Sequence, residues 1–349
     1  LSAKYFAYGS NMDAVQMRER GAPFTARKWA LLRGYSLRFN KLATGKDARS
    51  GEGKGNIVPN PNGVTEGALY EITQAGLDGL DEREGYPEHY ARVELPVELK
   101  GGSQVKAWVY IAQHAFVREG LLPTHKYLGH YLQGEDLLTP EYFWALARTR
   151  TIMDAGDLRA RCEEFDGREG RASFYRLAAE IVDVYPVHAS VIILATWNVG
   201  RFRFYASDGQ ILEKLTAAIV QSGPTVAKLK DETLSGADLS SLRDDIARMY
   251  DALSAIKGVE YTGASKIMHL LNRELYVMWD SYISEHYGFR DRDGTDYAEF
   301  LALMKSLFGG VEWIYTDRTL AKAVDEFNYV TITIPAQLKE KEKQARRRT

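Results

Sequence analysis

The stretch that most constrains this chain is Lys4-Tyr5-Phe6-Ala7-Tyr8-Gly9-Ser10-Asn11-Met12. Tyr5–Tyr8 is an apolar run of strand composition that stops at Gly9-Ser10-Asn11. Helical spacing follows through Met12, Val15, Gln16 and Met17 before Arg18-Glu19-Arg20. A strand that turns into a helix in this way presents unbonded N–H groups at the helix start, where the dipole favours negative charge. Two readings fit: an anion-binding turn, or an ordinary connection capped by Ser10 or Asn11. The rest of the chain has to decide between them.

At 349 residues the chain is long for one domain, and two are expected. Hydrophobic residues make up 45% and charged residues 26%, an ordinary globular balance. No run reaches the roughly 18 apolar residues of a membrane span. The first residues lack a basic segment followed by a long apolar core, so no signal peptide and a cytoplasmic location are expected. Cys162 is the only cysteine, which excludes an internal disulfide and a cysteine-rich zinc site. Its neighbours Glu163, Glu164 and Asp166 do not favour a thiolate. Residues 1–150 hold 19 basic and 17 acidic side chains, leaving 26 basic against 30 acidic beyond them. Neither half has the basic surplus that marks a nucleic-acid binder.

The first half reads as strands. Tyr35, Leu37 and Phe39 alternate with Ser36 and Arg38. Residues 43–55, rich in Gly, Ser and charge, read as a mobile loop. Gly55–Val58 forms a short strand ended by Pro59, and Asn60-Pro61-Asn62-Gly63 is a strong turn signal. Val64–Ile72 is another strand whose Gly67 marks a bulge or a close approach. Thr73 can cap a helix over Gln74–Glu84, with Leu77 and Leu80 inward and Glu84 one turn beyond Leu80 on the same side. Gly85-Tyr86-Pro87 ends it. A carboxylate at the inward end of a helix is either a functional group or a charge held by an arginine such as Arg92. Tyr90–Leu99 and Val105–Ala112 complete about six strands, and Thr124 and Thr139-Pro140 open two further helices. The plan is α+β and barrel-like.

Tyr8-Gly9-Ser10-Asn11, Gly34–Asn40, Gly55–Pro59, Val64–Tyr70, Leu80–Arg92, Pro123-Thr124 and Tyr127, in this order, resemble the gamma-glutamylcyclotransferase (AIG2-like) family over roughly residues 3–148. The resemblance implies a mixed barrel whose cavity holds a gamma-glutamyl group. It implies that Tyr8, Gly9, Ser10 and Asn11 bind the glutamyl oxygens through backbone N–H groups and that Glu84 is the acid/base. No cofactor and no metal are required. Tyr70, Tyr90, Tyr110 and Tyr127 are candidate wall residues, with core packing the competing role; Tyr90 and Tyr127 are placed among the substrate-binding residues.

Beyond a boundary near Arg148–Ala155 the spacing turns helical, over 170–195, 209–221, 238–256, 263–272 and 296–307, with breaks at Gly200, Gly209, Gly223-Pro224, Gly258 and Gly309-Gly310. The expected division is therefore 1–150 as a gamma-glutamylcyclotransferase-like domain, 151–335 as an all-α domain and 336–349 as a charged tail. Ile256–Leu271 with Leu275–Asp280 resembles helix-hairpin-helix DNA glycosylases, which implies phosphate binding by hairpin N–H groups and a catalytic role for Asp280. Glu260 stands where a second hairpin glycine is expected, and the competing role for Asp280 is a helix cap. His269 reads as a satisfied, half-buried histidine. Trp197, Trp279 and Trp313 read as core.

Two functions follow. One is an enzyme that cyclises a gamma-glutamyl amine or peptide to 5-oxoproline. The other is a non-catalytic binding module whose helical domain recruits nucleic acid or a protein partner.

Overall fold

The computed structural model describes residues 2–170, 172–203 and 209–348. Arg171, inside the helix expected over 170–195, lies outside them, as do the chain's first and last residues. The chain divides into two compact units, Leu1–Ile152 and Met153–Thr349.

The first unit is a closed five-stranded barrel. Its strands are β1 (Ser2–Ala7), β2 (Phe24–Leu42), β3 (Gly53–Thr73), β4 (Tyr90–Leu99) and β5 (Gln104–Ala112), in the order β1-β3-β2-β4-β5. All neighbours are antiparallel except β1 and β5, which close the barrel in parallel at Tyr5 and Trp108. Helices α1 (Ala14–Glu19), α2 (Gln74–Glu84), α3 (His125–Leu132) and α4 (Pro140–Ala147) complete it.

Five strands replace the six expected, because Gly55–Val58 and Val64–Ile72 are parts of one strand. Asn60-Pro61-Asn62-Gly63 does not reverse the chain. Register steps from Arg33 opposite Val64 to Tyr35 opposite Pro59, so these four residues bulge out against Gly34, whose φ is 79°. The side chain of Asn60 holds the bulge by accepting from Asn62 N–H and donating to Ser36 Oγ. The turn chemistry was real, but cross-strand pairing on both sides carried the strand through it. The loop after β2 is tied down as well. Ala43 N–H donates to Glu52 O, Gly53 N–H donates to Leu122 O, and the Glu52 side chain is buried against Lys54 and Arg49 N–H.

Helix α2 forms where expected. Thr73 Oγ1 accepts from Gly76 N–H at 3.0 Å, Leu77 and Leu80 are fully buried, and Gly85 ends the helix at φ 67°. The two leucines join Tyr5, Ala7, Met17, Ala68 and Tyr70 in one hydrophobic cluster.

The second unit is helical among its described residues: α5 (Ala155–Asp166), α6 (Ala172–Ile181), α7 (Pro186–Trp197), α8 (Val199–Phe202), α9 (Ile211–Lys228), α10 (Leu239–Ser254), α11 (Glu260–Leu271), α12 (Ser281–His286), α13 (Gly294–Phe308), α14 (Leu320–Asn328) and α15 (Ile334–Arg348), with a π-helical turn over Tyr329–Thr333. Three expectations change. The 170–195 pattern is two helices, because Pro186 starts a new one. The expected break at Gly223-Pro224 lies inside α9, which continues past the proline to Lys228. Residues 336–348 of the expected charged tail lie within α15, and Tyr282 OH donates to its Glu340.

Gly67 tests the close approach read from sequence. A Cβ there would stand 2.3 Å from Ala7 O, a backbone atom of the paired β1. Gly67→Ala is expected to lower stability by about 1–3 kcal/mol, measured as a shift of the urea midpoint with unchanged slope.

Candidate functional site

The Gly9–Asn11 turn and the end of α2 come together at one side of the barrel. Gly9 opens a single 3-10 turn over Ser10–Met12, whose first internal bond is Met12 N–H to Gly9 O at 2.9 Å. No side chain caps this turn. The cap that one of the two readings gave to Ser10 or Asn11 is supplied by Asp13, two residues beyond Asn11, which accepts from Val15 and Gln16 N–H to start α1. Its second oxygen lies 2.8 Å from His130 Nδ1 on α3. Burial works against the Asp13 charge, but His130 and the two N–H bonds hold its pKa below the usual value. Tyr70 OH and Arg27 both donate to Met12 O, fixing the far end of the turn.

Asn11 joins the turn to the carboxylate. Its Nδ2 donates to Glu84 Oε1 at 3.1 Å and to Tyr5 OH at 2.9 Å, while its Oδ1 accepts from Arg20 Nη1 at 2.8 Å. Arg20 also pairs with Glu84 Oε1 at 3.2 Å. Among the described residues Glu84 Oε2 accepts no hydrogen bond, so one carboxylate oxygen is held and the other is unengaged. The Glu84 side chain is 19% exposed. Burial raises its pKa, opposed first by Arg20 and then by Asn11 and Lys41.

Tyrosines surround this carboxylate. Tyr8 OH donates to Tyr110 O at 2.6 Å and Tyr90 OH donates to Gly55 O at 2.8 Å. Tyr127 OH accepts from Gly55 N–H at 3.0 Å and lies 3.1 Å from Tyr131 OH. Burial raises the pKa of Tyr5, Tyr8, Tyr90 and Tyr127, and the Glu84 charge adds to each rise. Tyr131 reaches both Gly9 and Gly55: a Cβ on Gly9 would stand 3.3 Å from its hydroxyl, and one on Gly55 only 1.8 Å.

All the residues singled out in sequence, namely Glu84, Tyr8, Gly9, Ser10, Asn11, Tyr90 and Tyr127, therefore belong to one neighbourhood. Tyr8 enters it with its hydroxyl already bonded to the barrel backbone. Tyr70 belongs to the core beside the turn. Arg92 does not hold Glu84: it pairs with Asp81 at 2.5 Å, and Tyr110 OH donates to the other Asp81 oxygen. Sequence reading missed Arg20, Lys41 and Tyr131. Arg20 ends the helix that the turn begins, which was the available signal; nothing local marked the other two.

In the second unit Asp280 is the N-cap of α12, accepting from Tyr282 and Ile283 N–H, and its other oxygen accepts from Thr333 Oγ1 at 2.7 Å. His269 is fully buried rather than half-buried. Its Nδ1 lies 2.6 Å from Tyr276 O and its Nε2 2.8 Å from Tyr175 OH, and burial pushes its pKa down to about 3. Glu260 takes φ 52°, the left-handed conformation for which a glycine is suited, and pairs with Arg201 at 2.5 Å. Trp279 is core; Trp197 and Trp313 are only partly buried. Burial pushes the Cys162 thiol up to about 12.

Residues 5–132 match the family model described as gamma-glutamyl cyclotransferase, AIG2-like. That family is supported for the N-terminal region. A Methanocaldococcus jannaschii protein, provisionally named a gamma-glutamylcyclotransferase, is 34% identical over 44 residues, which are 13% of this chain and 37% of that protein. The chain thus spans little more than a third of this curated relative. Among solved structures, one named gamma-glutamyl cyclotransferase is 25% identical, over 44% of this chain and 90% of that chain, with a TM-score of 0.39. YkqA of Bacillus subtilis is 29% identical over 42% of this chain and 53% of its own, with a TM-score of 0.37. The family match ends at residue 132 and lends no support to helix-hairpin-helix kinship or nucleic-acid binding by the second unit. No helix among the described residues is long and apolar enough to cross a membrane, and no cluster of metal-ligating side chains is present among them.

The raised Glu84 pKa carries a stability consequence. The folded protein holds this proton more tightly than the unfolded chain does, so the contribution is fully present below the ordinary value of 4.5 and is lost as pH rises through the folded value. Glu84→Gln cannot ionise. Its stability relative to the parent is expected to improve from about pH 4 to about pH 7, read from urea midpoints at the two pH values. A difference constant with pH would contradict the raised pKa.

Proposed function

We propose that the first unit is a gamma-glutamylcyclotransferase-like enzyme that releases 5-oxoproline and an amine from a gamma-glutamyl amine or peptide. The observation that carries this reading is the Glu84 carboxylate, with one oxygen held by Asn11 and Arg20 and the other unengaged. Such a group has a fixed position and a free face for proton transfer.

The reaction needs these parts. The alpha-amine of the glutamyl group attacks its own gamma-carbonyl, forming a C–N bond and closing a five-membered lactam. The amine begins as an ammonium, so it must first lose a proton. Glu84 takes that proton through its free oxygen. Glu84 passes that proton to solvent, and once the amine has added, Glu84 takes the second proton from the ring nitrogen. As the tetrahedral carbon collapses, the bond to the leaving nitrogen breaks and Glu84 returns this second proton to it, leaving a neutral lactam and a free amine. A carboxylate with a raised pKa suits both steps. Charge that builds on the carbonyl oxygen is met by the uncapped N–H groups of the Ser10 turn. Tyr90 and Tyr127 wall the site and hold the glutamyl chain folded, which supplies proximity. No atom needs to come from a cofactor or metal.

The test is incubation with a panel of gamma-glutamyl amino acids, amines and peptides, with 5-oxoproline read by mass spectrometry. Turnover by the parent and a fall of about 10²–10⁴-fold in kcat for Glu84→Gln are expected. Undiminished turnover by that variant would remove Glu84 from the chemistry. No product from any member of the panel would favour a non-catalytic binding module. Arg20→Met is expected to raise the apparent pKa of the acidic limb of the kcat profile, because the largest opposition to Glu84 protonation is lost.

A further inference from the structure

Lys41 is a buried cation without a counter-anion. It is 5% exposed, yet no carboxylate forms an ion pair with it among the described residues. Its ammonium bonds to His89 Nδ1 at 3.2 Å. That imidazole has its pKa lowered by burial and then by Lys41 itself, so it accepts as a neutral ring. The neighbour across the ladder makes the deficit worse. Lys41 on β2 pairs with Lys54 on β3, and Lys54 already has Glu52 at 2.5 Å. Burial, the largest influence, lowers the Lys41 pKa and Lys54 adds to the fall, while Glu84 opposes it without ion-pair contact; an ammonium so placed gains from an anion that arrives from outside.

Position says where that anion comes from. The Lys41 backbone is held on both sides, by Lys54 and by a bridge to Val117. Its ammonium lies 5.5 Å from the centre of the Tyr90 ring and 5.4 Å from that of Phe116. Tyr90 is a buried wall residue of the site, whereas Phe116 and His89, stacked at 4.2 Å, are only partly buried. Lys41 thus stands between the inner wall and the outer rim, near enough to Glu84 for each to shift the other's pKa but beyond ion-pair contact. On the reading above, the glutamyl end lies inward between the Ser10 turn and Glu84, and the leaving amine points outward.

We propose that Lys41 receives a carboxylate carried by the leaving amine, so that gamma-glutamyl amino acids and peptides are preferred over gamma-glutamyl derivatives of simple amines. Lys41 is a specificity residue in this arrangement and takes no part in proton transfer. The proposal rests on the cyclisation reading for the orientation of the substrate.

The experiment compares gamma-glutamylglycine with gamma-glutamylmethylamide, which differ by that carboxylate. With the parent protein, kcat/KM is expected to favour gamma-glutamylglycine by about tenfold or more, the size of a charge-assisted hydrogen bond. Lys41→Met should bring the ratio near one, chiefly through KM, and Lys41→Arg should restore part of it. Equal losses on both substrates would overturn the proposal, since they would place Lys41 at the glutamyl end or in the fold. An unchanged ratio would overturn it as well. Calorimetric binding of both probes to Glu84→Gln and to Glu84→Gln with Lys41→Met keeps the test independent of turnover. A preference that disappears with Lys41 supports the proposal even if the parent makes no 5-oxoproline, an outcome in which the cyclisation reading alone fails. Absence of preference, or binding of neither probe, overturns the role of Lys41.

Discussion

A carboxylate withdrawn from water needs hydrogen bonds, a counter-charge, or a proton. Glu84 has all three within reach, and the site depends on their balance. Burial pushes its pKa up, while Arg20, Asn11 and Lys41 pull it down. Arg20 and Asn11 act as one unit, because the arginine donates to both the asparagine and the carboxylate. The turn that opens the chain is therefore more than a ring of backbone donors. Its Asn11 side chain spans 73 residues of sequence to place the carboxylate, and Arg20 at the end of the helix begun by the turn closes the triangle.

Features set by neighbours in sequence were legible; those set by distant partners were not. Thr73, Leu77, Leu80 and Gly85 define α2 through local capping and spacing, and they aim Glu84 inward with no other information. Gly67 likewise announced the close approach that Ala7 O makes. Asn60-Pro61-Asn62-Gly63 misled because turn chemistry is local, whereas β2 lies along β3 on both sides of the bulge and decides the chain direction. Arg92, which a local reading offers as a competing partner for Glu84, fails for the same reason. Arg92 is nearer in sequence, but it belongs to Asp81, which has Tyr110 beside it. Lys41 looks like a surface lysine in any local window; only the three-dimensional register with Lys54 and the stacked His89 and Phe116 shows it buried.

The second unit repeats this lesson with charges. Lys322, Asp325 and Glu326 have the spacing of a solvated helix face, yet all three are buried, and Lys322 bonds to Asp325 at 2.7 Å and pairs with Glu326 at 3.3 Å. Rings of Phe165, Tyr175 and Trp197 surround the ammonium at 4.8–5.1 Å. Arg318 joins Glu326 to Asp166. Removing one member of such a network strands the others, at a typical cost of about 3–5 kcal/mol. Asp280, by contrast, had a cap as its simplest reading, and a cap with a second bond to Thr333 accounts for both of its oxygens.

The tyrosine wall explains why so few charges matter at the first site. Tyr8 and Tyr90 spend their hydroxyl protons on backbone carbonyls, and Tyr127 accepts the Gly55 N–H. Both polar groups of Gly55 are thereby engaged by side chains, and the missing Cβ of that residue is what lets the Tyr131 hydroxyl in. With their ionisation pushed upward, these tyrosines stay neutral and add no charge of their own. The charges at this wall are then Glu84 with Arg20 beside it, Lys41, and Lys54, which lies 4.3 Å from the centre of the Tyr127 ring and is paired with Glu52. Buried walls leave little water to screen them. On the proposed reading, a ligand bearing an ammonium and a carboxylate is sorted end to end by where Glu84 and Lys41 stand.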